Sequence, residues 1–167
     1  HDIPNTVSRS VLAAAELGVW MTNVHAFGGV RMMTSAKQML IEQGSDMLLI
    51  AVTVLTSIDS AELAEIGVST KLEHQVLHFA RQVKESGLDG VVCSAQEARL
   101  LRTEMGKKFS LVTPGIRLLG DRNHDQRRVV DPRTAVEMGS DYLVIGRAIT
   151  RAVAPLEVLR QINQWLK

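Results

Sequence analysis

Leu111-Val112-Thr113-Pro114-Gly115-Ile116-Arg117 and Tyr142-Leu143-Val144-Ile145-Gly146-Arg147 are the two stretches that decide the fold. Each is a strand-like apolar run followed by a glycine and an arginine. In a (β/α)₈ barrel, the loops after strands seven and eight commonly hold a phosphate. Backbone N–H groups at the start of a helix favour an anion, and an arginine can add a bidentate hydrogen bond. The two stretches therefore predict a phosphate-binding end of a barrel.

Further apolar, β-branched runs precede these two stretches, with helical segments between them. The strand candidates span 19–24, 48–54, 90–93, 109–113 and 142–145. The helix candidates span 7–17, 30–43, 60–66, 72–86, 95–105, 132–138 and 155–166. Near-continuous apolar strands are typical of parallel sheets that are covered on both faces. Because helices and strands alternate, the pattern predicts an α/β fold built from βα units.

The number of strands leaves two architectures open. There are five full candidates, or six with a stub at His1-Asp2, whereas an eight-stranded barrel usually needs about 250 residues. The chain is either a smaller open α/β sheet or a barrel without its N-terminal third. It opens on His1 without a methionine, and Asp2-Ile3-Pro4-Asn5 resembles a strand end and a turn. No linker divides residues 1–167, so one domain is expected.

The bulk composition excludes several classes of protein. The chain is 46% hydrophobic and 22% charged with a net charge of +1, as in ordinary globular proteins. No basic patch is interleaved with aromatic residues, so nucleic-acid binding is not expected. The single Cys93 argues against a disulfide framework. With no signal-peptide pattern, and no apolar run longer than about half a membrane span, the composition predicts a cytoplasmic protein that binds no membrane.

Three polar segments have both a functional and a plain structural interpretation. Thr53-Val54-Leu55-Thr56-Ser57 ends a strand, where its hydroxyls could bind a ligand. When this segment is considered by itself, a turn with helix-capping hydroxyls is favoured. His25-Ala26-Phe27-Gly28-Gly29 lacks the dinucleotide fingerprint, so a tight βα turn is favoured. His74 and His78 have zinc-binding spacing, but Gln75 replaces the expected glutamate, which favours a solvated helix face.

The segment from Gly115 to Val130 predicts a long polar loop. A structureless loop of about 16 residues is uncommon and is usually functional or disordered. Its arginines, aspartates and His124 suit a lid that closes on an anion, and the neighbouring Gly146-Arg147 favours this function over a floppy surface loop. Lysines, by contrast, are absent from the C-terminal ends of the strands. A barrel enzyme that needs a lysine would have to take it from outside this chain.

Taken in order, six segments closely resemble the orotidine 5′-phosphate decarboxylase family of the bacterial type. They are His1-Asp2-Ile3-Pro4-Asn5-Thr6, 49–57, 89–94, 112–117, Asp125-Gln126-Arg127-Arg128 and Val144-Ile145-Gly146-Arg147. Any one segment is weak evidence for the family. The ordered set is highly specific, and it covers the whole length of the chain. The resemblance implies a homodimeric (β/α)₈ barrel that decarboxylates orotidine 5′-monophosphate to UMP, the last step of de novo pyrimidine synthesis. It implies no cofactor and no metal.

The resemblance also implies roles for individual residues. Asp2 resembles the last aspartate of the family's Asp-x-Lys-x-x-Asp motif, a catalytic residue that would reach, with Thr6, into the partner subunit's site to hold the ribose. Thr56 and Pro114 would lie near the base. The other implied substrate-binding residues are Ile3, Pro4, Asn5, Arg117, Gln126, which would bridge phosphate and base, and Gly146 and Arg147, which would anchor the phosphate.

One departure from the family pattern matters for activity. The motif's lysine, which donates a proton to C6, would lie before His1, as would the first strands of the barrel. The chain would then represent roughly the last five to six βα units, the C-terminal two-thirds of the barrel, and would be inactive and poorly folded by itself. Two alternatives stay open: another phosphate-binding barrel enzyme, such as a sugar-phosphate decarboxylase, aldolase or epimerase, and a non-catalytic phosphate-binding domain without the lysine.

Overall fold

Five parallel strands form one sheet in the computed structural model, which describes residues 1–118 and 129–166 of the chain. The strands are β1 (Met21–His25), β2 (Leu48–Val52), β3 (Gly90–Val92), β4 (Ser110–Thr113) and β5 (Tyr142–Leu143). They are ordered β1-β2-β3-β4-β5, and every neighbouring pair is parallel. An open, doubly wound sheet reverses its strand order at a switch point, where ligands bind. The unbroken order here favours an arc of a barrel over a smaller open sheet.

Helices connect the strands and cover the outer face of the sheet. Within the described residues they are α1 (Pro4–Glu16), α2 (Gly29–Glu42), α3 (Ser60–Glu65), α4 (Leu72–Glu85), α5 (Ala95–Met105), α6 (Pro132–Glu137), α7 (Arg147–Thr150) and α8 (Pro155–Trp165). A 3₁₀ turn at Ala26–Gly28 joins β1 to α2, which confirms the tight βα turn expected there. None of the helices described is long and apolar enough to cross a membrane.

The core lies between the sheet and these helices. Leu49, Val91 and Leu111 are fully buried on the outer face of the sheet. Gly90 is required by the close approach of β3 and β4, because a Cβ at this position would overlap the carbonyl oxygen of Ser110. A glycine inside a strand often marks such a contact between backbones. Ile50 and Val112, which alternate with these leucines and face the other side of the sheet, are also buried. The central strands therefore match the expectation of strands that are covered on both faces.

The edge strands do not match that expectation. β1 and β5 each pair on one side only within the described sheet. Tyr142 is 41% exposed, Val144 is 50% exposed, and Trp20, just before β1, is 59% exposed. The apolar runs at both edges correctly predicted strands, but burial of a strand depends on neighbours that local sequence does not show.

Several predicted boundaries were wrong. No strand forms at His1-Asp2, and Pro4 and Asn5 lie in the first turn of α1 rather than in a turn after a strand. Proline at the first helical position accounts for this earlier start, because its missing N–H would have no helical partner there. β5 ends at Leu143 rather than Ile145. The short helix α7 was not predicted.

Candidate functional site

Four of the predicted binding residues follow the C-terminal ends of parallel strands. Thr56 lies four residues after β2, Pro114 immediately after β4, and Gly146 and Arg147 shortly after β5. Because all strands run in parallel, these positions share one end of the sheet. This is the end at which barrel enzymes place their active sites. The candidate site is therefore the carboxyl end of the sheet.

The β5–α7 junction presents backbone to this end of the sheet. Gly146 is the N-cap of α7, and Arg147 is its first residue, half-buried. A Cβ built on Gly146 would meet no atom within 4 Å, so open space lies beside the backbone here. A glycine next to open space lets a ligand come close to the main chain. This geometry fits the phosphate-anchoring role that the sequence pattern suggested.

The loop that follows β4, called the β4 loop, is held together by backbone hydrogen bonds where it leaves the strand. Gly115 adopts φ +76°, a left-handed conformation that favours glycine. The Arg117 N–H donates to the Val130 carbonyl at 3.1 Å, and the Val130 N–H donates to the Gly115 carbonyl at 3.3 Å. Ile116, fully buried between these bonds, packs in a small cluster with Ala95 and Ala135. The two ends of the predicted polar loop are therefore joined at its base, while Gln126 and His124 lie outside the described residues.

Both threonines that follow β2 are buried. Thr53 is 1% exposed and Thr56 is 5% exposed. The Thr53 hydroxyl donates to the Val92 carbonyl of β3 at 3.0 Å, so it ties two strands together instead of capping a helix. Asp59 caps α3, with its side chain accepting from the backbone N–H groups of Ala61 and Glu62. The capping interpretation favoured for 53–57 was therefore wrong for Thr53.

Asp2 and Thr6 line a cavity between α1 and β1, at the open edge of the sheet. The cavity measures about 310 Å³, and Ser10, Asn23 and His25 also line it. Asp2 is exposed, and its carboxylate accepts a hydrogen bond from the Ile3 N–H at 2.6 Å. Ile3, at 64% exposure, precedes the first turn of α1, where Pro4, Asn5 and Thr6 lie. This group lies against β1, an edge strand whose last residue, His25, pairs in register with Val52 at the end of β2.

His25 is a residue of this cavity for which the sequence suggested no function. It ends β1, and its ring lies edge-on to that of His1, with centroids 6.3 Å apart. Burial lowers the pKa of His25 below its ordinary value of 6.5. The imidazole is therefore neutral near pH 7 and can both donate and accept a hydrogen bond. Its place at a strand's C-terminal end was the signal that could have identified it.

The two histidines with zinc-like spacing do not form a site. His74 and His78 are both exposed on α4. Within residues 1–118 and 129–166, no group of three or more histidine, cysteine, aspartate or glutamate side chains is placed to hold a metal ion. The solvated helix face favoured for these histidines is confirmed.

Comparison with known proteins shows which family this chain is similar to. The model of the orotidine 5′-phosphate decarboxylase / HUMPS family matches residues 1–162. An orotidine 5′-phosphate decarboxylase of Vibrio vulnificus is 60% identical over 167 residues, which cover 99% of this chain and 72% of the relative. A relative of the same name from Photobacterium profundum is 59% identical, with the same two shares covered.

Solved structures give the same result for the fold. The crystal structure of orotidine 5′-phosphate decarboxylase from Lactobacillus acidophilus superposes with a TM-score of 0.86 at 40% identity, covering all of this chain and 72% of the other. The enzyme of that name from Pyrococcus horikoshii is only 21% identical, yet it gives a TM-score of 0.73. The five-stranded arc is thus part of a (β/α)₈ barrel, as the sequence predicted.

Proposed function

The chain belongs to the orotidine 5′-phosphate decarboxylase / HUMPS family, and we propose that it serves the decarboxylation of orotidine 5′-monophosphate to UMP. The observation that carries this proposal is the high identity to decarboxylases over nearly the whole chain. The predicted binding positions after β2, β4 and β5 support it, since they meet at one end of the sheet. The relatives from Vibrio vulnificus and Photobacterium profundum are both named orotidine 5′-phosphate decarboxylases, so the sugar-phosphate alternative is not favoured.

The reaction sets clear chemical demands on the site. The bond from C6 to the carboxylate breaks, CO₂ leaves, and the electron pair stays on C6 until a proton arrives. A cation and a positioned acid near C6 stabilise and quench this carbanion. Binding energy from the distant phosphate helps to hold the substrate in the reactive arrangement. No cofactor is part of this proposal.

The described residues supply the binding part of this chemistry. Gly146 and Arg147 hold the phosphate, where open space at Gly146 admits an anion to the backbone. Pro114 borders the base, and the buried Thr56 lies near the pyrimidine and its carboxylate. Arg117 contacts the substrate from the start of the β4 loop, where backbone hydrogen bonds hold the chain in place. Gln126 bridges phosphate and base by the family resemblance alone, because it lies outside the described residues.

The acid that protonates C6 is not among the described lysines. Lys37 and Lys84 lie on helices, Lys71 caps α4, and Lys107 and Lys108 precede β4. None of them directly follows the carboxyl end of a strand. By the family resemblance, the proton donor is a lysine of the Asp-x-Lys-x-x-Asp motif that would lie before His1, in polypeptide that would form one barrel domain together with this chain.

A homodimer completes the proposal. The exposure of Asp2 and Ile3 at the edge of the sheet supports a role in the partner subunit's site, where Asp2, Ile3, Pro4, Asn5 and Thr6 contact the ribose. The enzyme works in the cytoplasm, where the buried Cys93 stays reduced. Its partners are the substrate and a second copy of the same protein. It binds neither nucleic acid nor a membrane.

The test is a binding and turnover comparison with the complete protein. We expect release of CO₂ from orotidine 5′-monophosphate, and tighter binding of UMP than of a pentulose-phosphate analogue. Tighter binding of the pentulose phosphate, with no turnover of the nucleotide, would point to a different phosphate-binding barrel enzyme. Binding of UMP without any turnover would support the non-catalytic alternative.

A further inference from the structure

Arg102, near the end of α5, ties together three chain segments at the opposite end of the sheet from the candidate site. Its Nη1 donates to the carbonyls of Gly106 and Phe109, both at 2.9 Å. Its Nη2 donates to the Gly139 carbonyl at 2.8 Å and to Asp141 Oδ2 at 2.6 Å. The side chain is only 19% exposed. All four Nη hydrogens thus have an acceptor, which a lysine could not reproduce.

Asp141 passes this restraint on to β5. Its Oδ2 accepts from the Leu111 N–H at 2.7 Å, while its own N–H donates to the Leu111 carbonyl at 2.9 Å. β5 begins at the next residue, is two residues long and pairs with β4 alone among the described strands. So short a strand has few ladder bonds of its own to fix its register. The carboxylate of Asp141 supplies the missing restraint.

The chain from Asp141 leads directly to Gly146 and Arg147. Gly146 lies five residues after Asp141, which corresponds to roughly 17 Å of extended chain. A shift of the chain at the start of β5 therefore moves the phosphate anchors by about as much as the start of β5 itself moves. We propose that Arg102 is a positioning residue. Through Asp141 and β5, it sets the position of Gly146-Arg147 along the strand direction and the orientation of these two residues. This inference rests on the proposed function, because it takes Gly146 and Arg147 as the phosphate anchors.

The fold contains a matched control. Lys37 on α2 donates to both carboxylate oxygens of Asp89, at 3.0 and 2.8 Å, with the Lys37 side chain 20% exposed. Asp89 Oδ2 accepts from the Leu49 N–H at 2.8 Å, and the Asp89 N–H donates to the Leu49 carbonyl at 2.8 Å. This clamp fixes β3 to β2 in the way that Arg102 and Asp141 fix β5 to β4. β3 leads to Ser94, the cap of α5, and not to the phosphate anchors.

The experiment measures the affinity of the complete protein for UMP and for uridine, which lacks the phosphate. The ratio of the two affinities reports the contribution of the phosphate alone. We expect Arg102→Met to lower this ratio about tenfold with little change in uridine binding. Lys37→Met removes the equivalent clamp, so it should reduce stability to a similar extent and leave the ratio unchanged.

Two outcomes would overturn the positioning role. One is an Arg102→Met ratio within about threefold of wild type, and the other is an equal fall in the Lys37→Met protein. If Arg102→Met does not fold, Asp141→Ala decides, because it removes the carboxylate that joins Arg102 to the Leu111 N–H: a ratio equal to wild type overturns the proposal. A wild-type protein that binds UMP no better than uridine would instead refute the phosphate site, and with it the proposed function.

Discussion

At the scale of single residues, Arg147 is the side chain whose removal should be most costly to the proposed reaction. It begins α7 next to the open backbone of Gly146. A hydrogen bond to a charged group contributes about 1.5–3 kcal/mol, and phosphate binding supports the transition state from a distance. We expect Arg147→Ala to reduce kcat/KM for orotidine 5′-monophosphate by about 2–3 kcal/mol, or roughly 30- to 150-fold. Steady-state kinetics on the complete protein measure this directly.

Arg151 provides the control for that prediction. It lies one turn further along, at the C-cap of α7, and is exposed. Arg151→Ala removes the same charge without touching the anchor, so its kcat/KM should stay within about threefold of wild type. A loss below about tenfold for Arg147→Ala, which is roughly 1.4 kcal/mol, would contradict the anchor role. Equal losses in both variants would show a general effect of charge.

The sequence suggests candidate binding residues but not the residues that support them. Pro114, Gly146 and Arg147 stand in short local patterns that follow apolar runs, so a linear reading finds them. Arg102 and Asp141 are 39 residues apart, and nothing local pairs them. A glycine, a variable residue and an aspartate precede both β3 and β5, at 87–89 and 139–141. That repeat was the available signal, yet only the folded chain shows which basic side chain meets each aspartate.

At the scale of secondary-structure elements, the N-cap of α6 should make stability depend on pH. The Asp131 carboxylate accepts from the Thr134 N–H at 3.1 Å. Hydrogen bonds from Thr134, chiefly from its side chain, hold the pKa of Asp131 below its ordinary value of 3.8, although partial burial opposes them. Because the folded-state pKa is lowered, the stabilisation is present above the unfolded-state pKa and is lost as the pH falls through the folded-state value.

We therefore expect Asp131→Ala to lower the free energy of unfolding by about 1 kcal/mol at pH 7. The difference from wild type should shrink as the pH falls below 3.8 and through the lowered folded-state pKa of Asp131, where the carboxylate takes up a proton. Urea unfolding of both proteins at several pH values measures this. Asp131→Asn is the control, because asparagine caps a helix as well as aspartate but carries no charge. A difference that stays constant between pH 7 and pH 3.5 would contradict the role of the charge.

Elements were predictable where their local signals were strong. α5 was predicted with the observed bounds, because Ser94 and Glu97 form a capping box and Gly106 adopts a positive φ at its end. The helix α7 was missed because its four residues carry too little periodicity to detect. β5 was predicted too long, because its extent depends on pairing with a second neighbour and not on the β propensity of 142–145.

At the scale of the whole molecule, the strand order follows from parallel βα units that connect neighbouring strands, which the alternating pattern predicted. The alternation alone could not distinguish a barrel arc from an open sheet, since both are built from the same units. The order β1-β2-β3-β4-β5 distinguishes them, because it contains no reversal. The sheet curves far enough that Trp20, before β1, and Tyr142, in β5, have ring centroids 5.2 Å apart. Both edges therefore face a common interior.

That open interior predicts how residues 1–167 should behave in isolation. Trp20 is 59% exposed and Tyr142 41%, while on α8 Leu156 is 66% exposed and Leu159 40%. Unpaired parallel edges and exposed apolar patches promote association. We expect the purified 167-residue chain to bind a hydrophobic dye, to elute as aggregates in size-exclusion chromatography and to release no CO₂ from orotidine 5′-monophosphate. The complete protein, assayed beside it, serves as the control. A monomeric chain that unfolds cooperatively and turns over the nucleotide would show that the five-stranded arc is a complete catalytic unit, and that the proton donor lies within it.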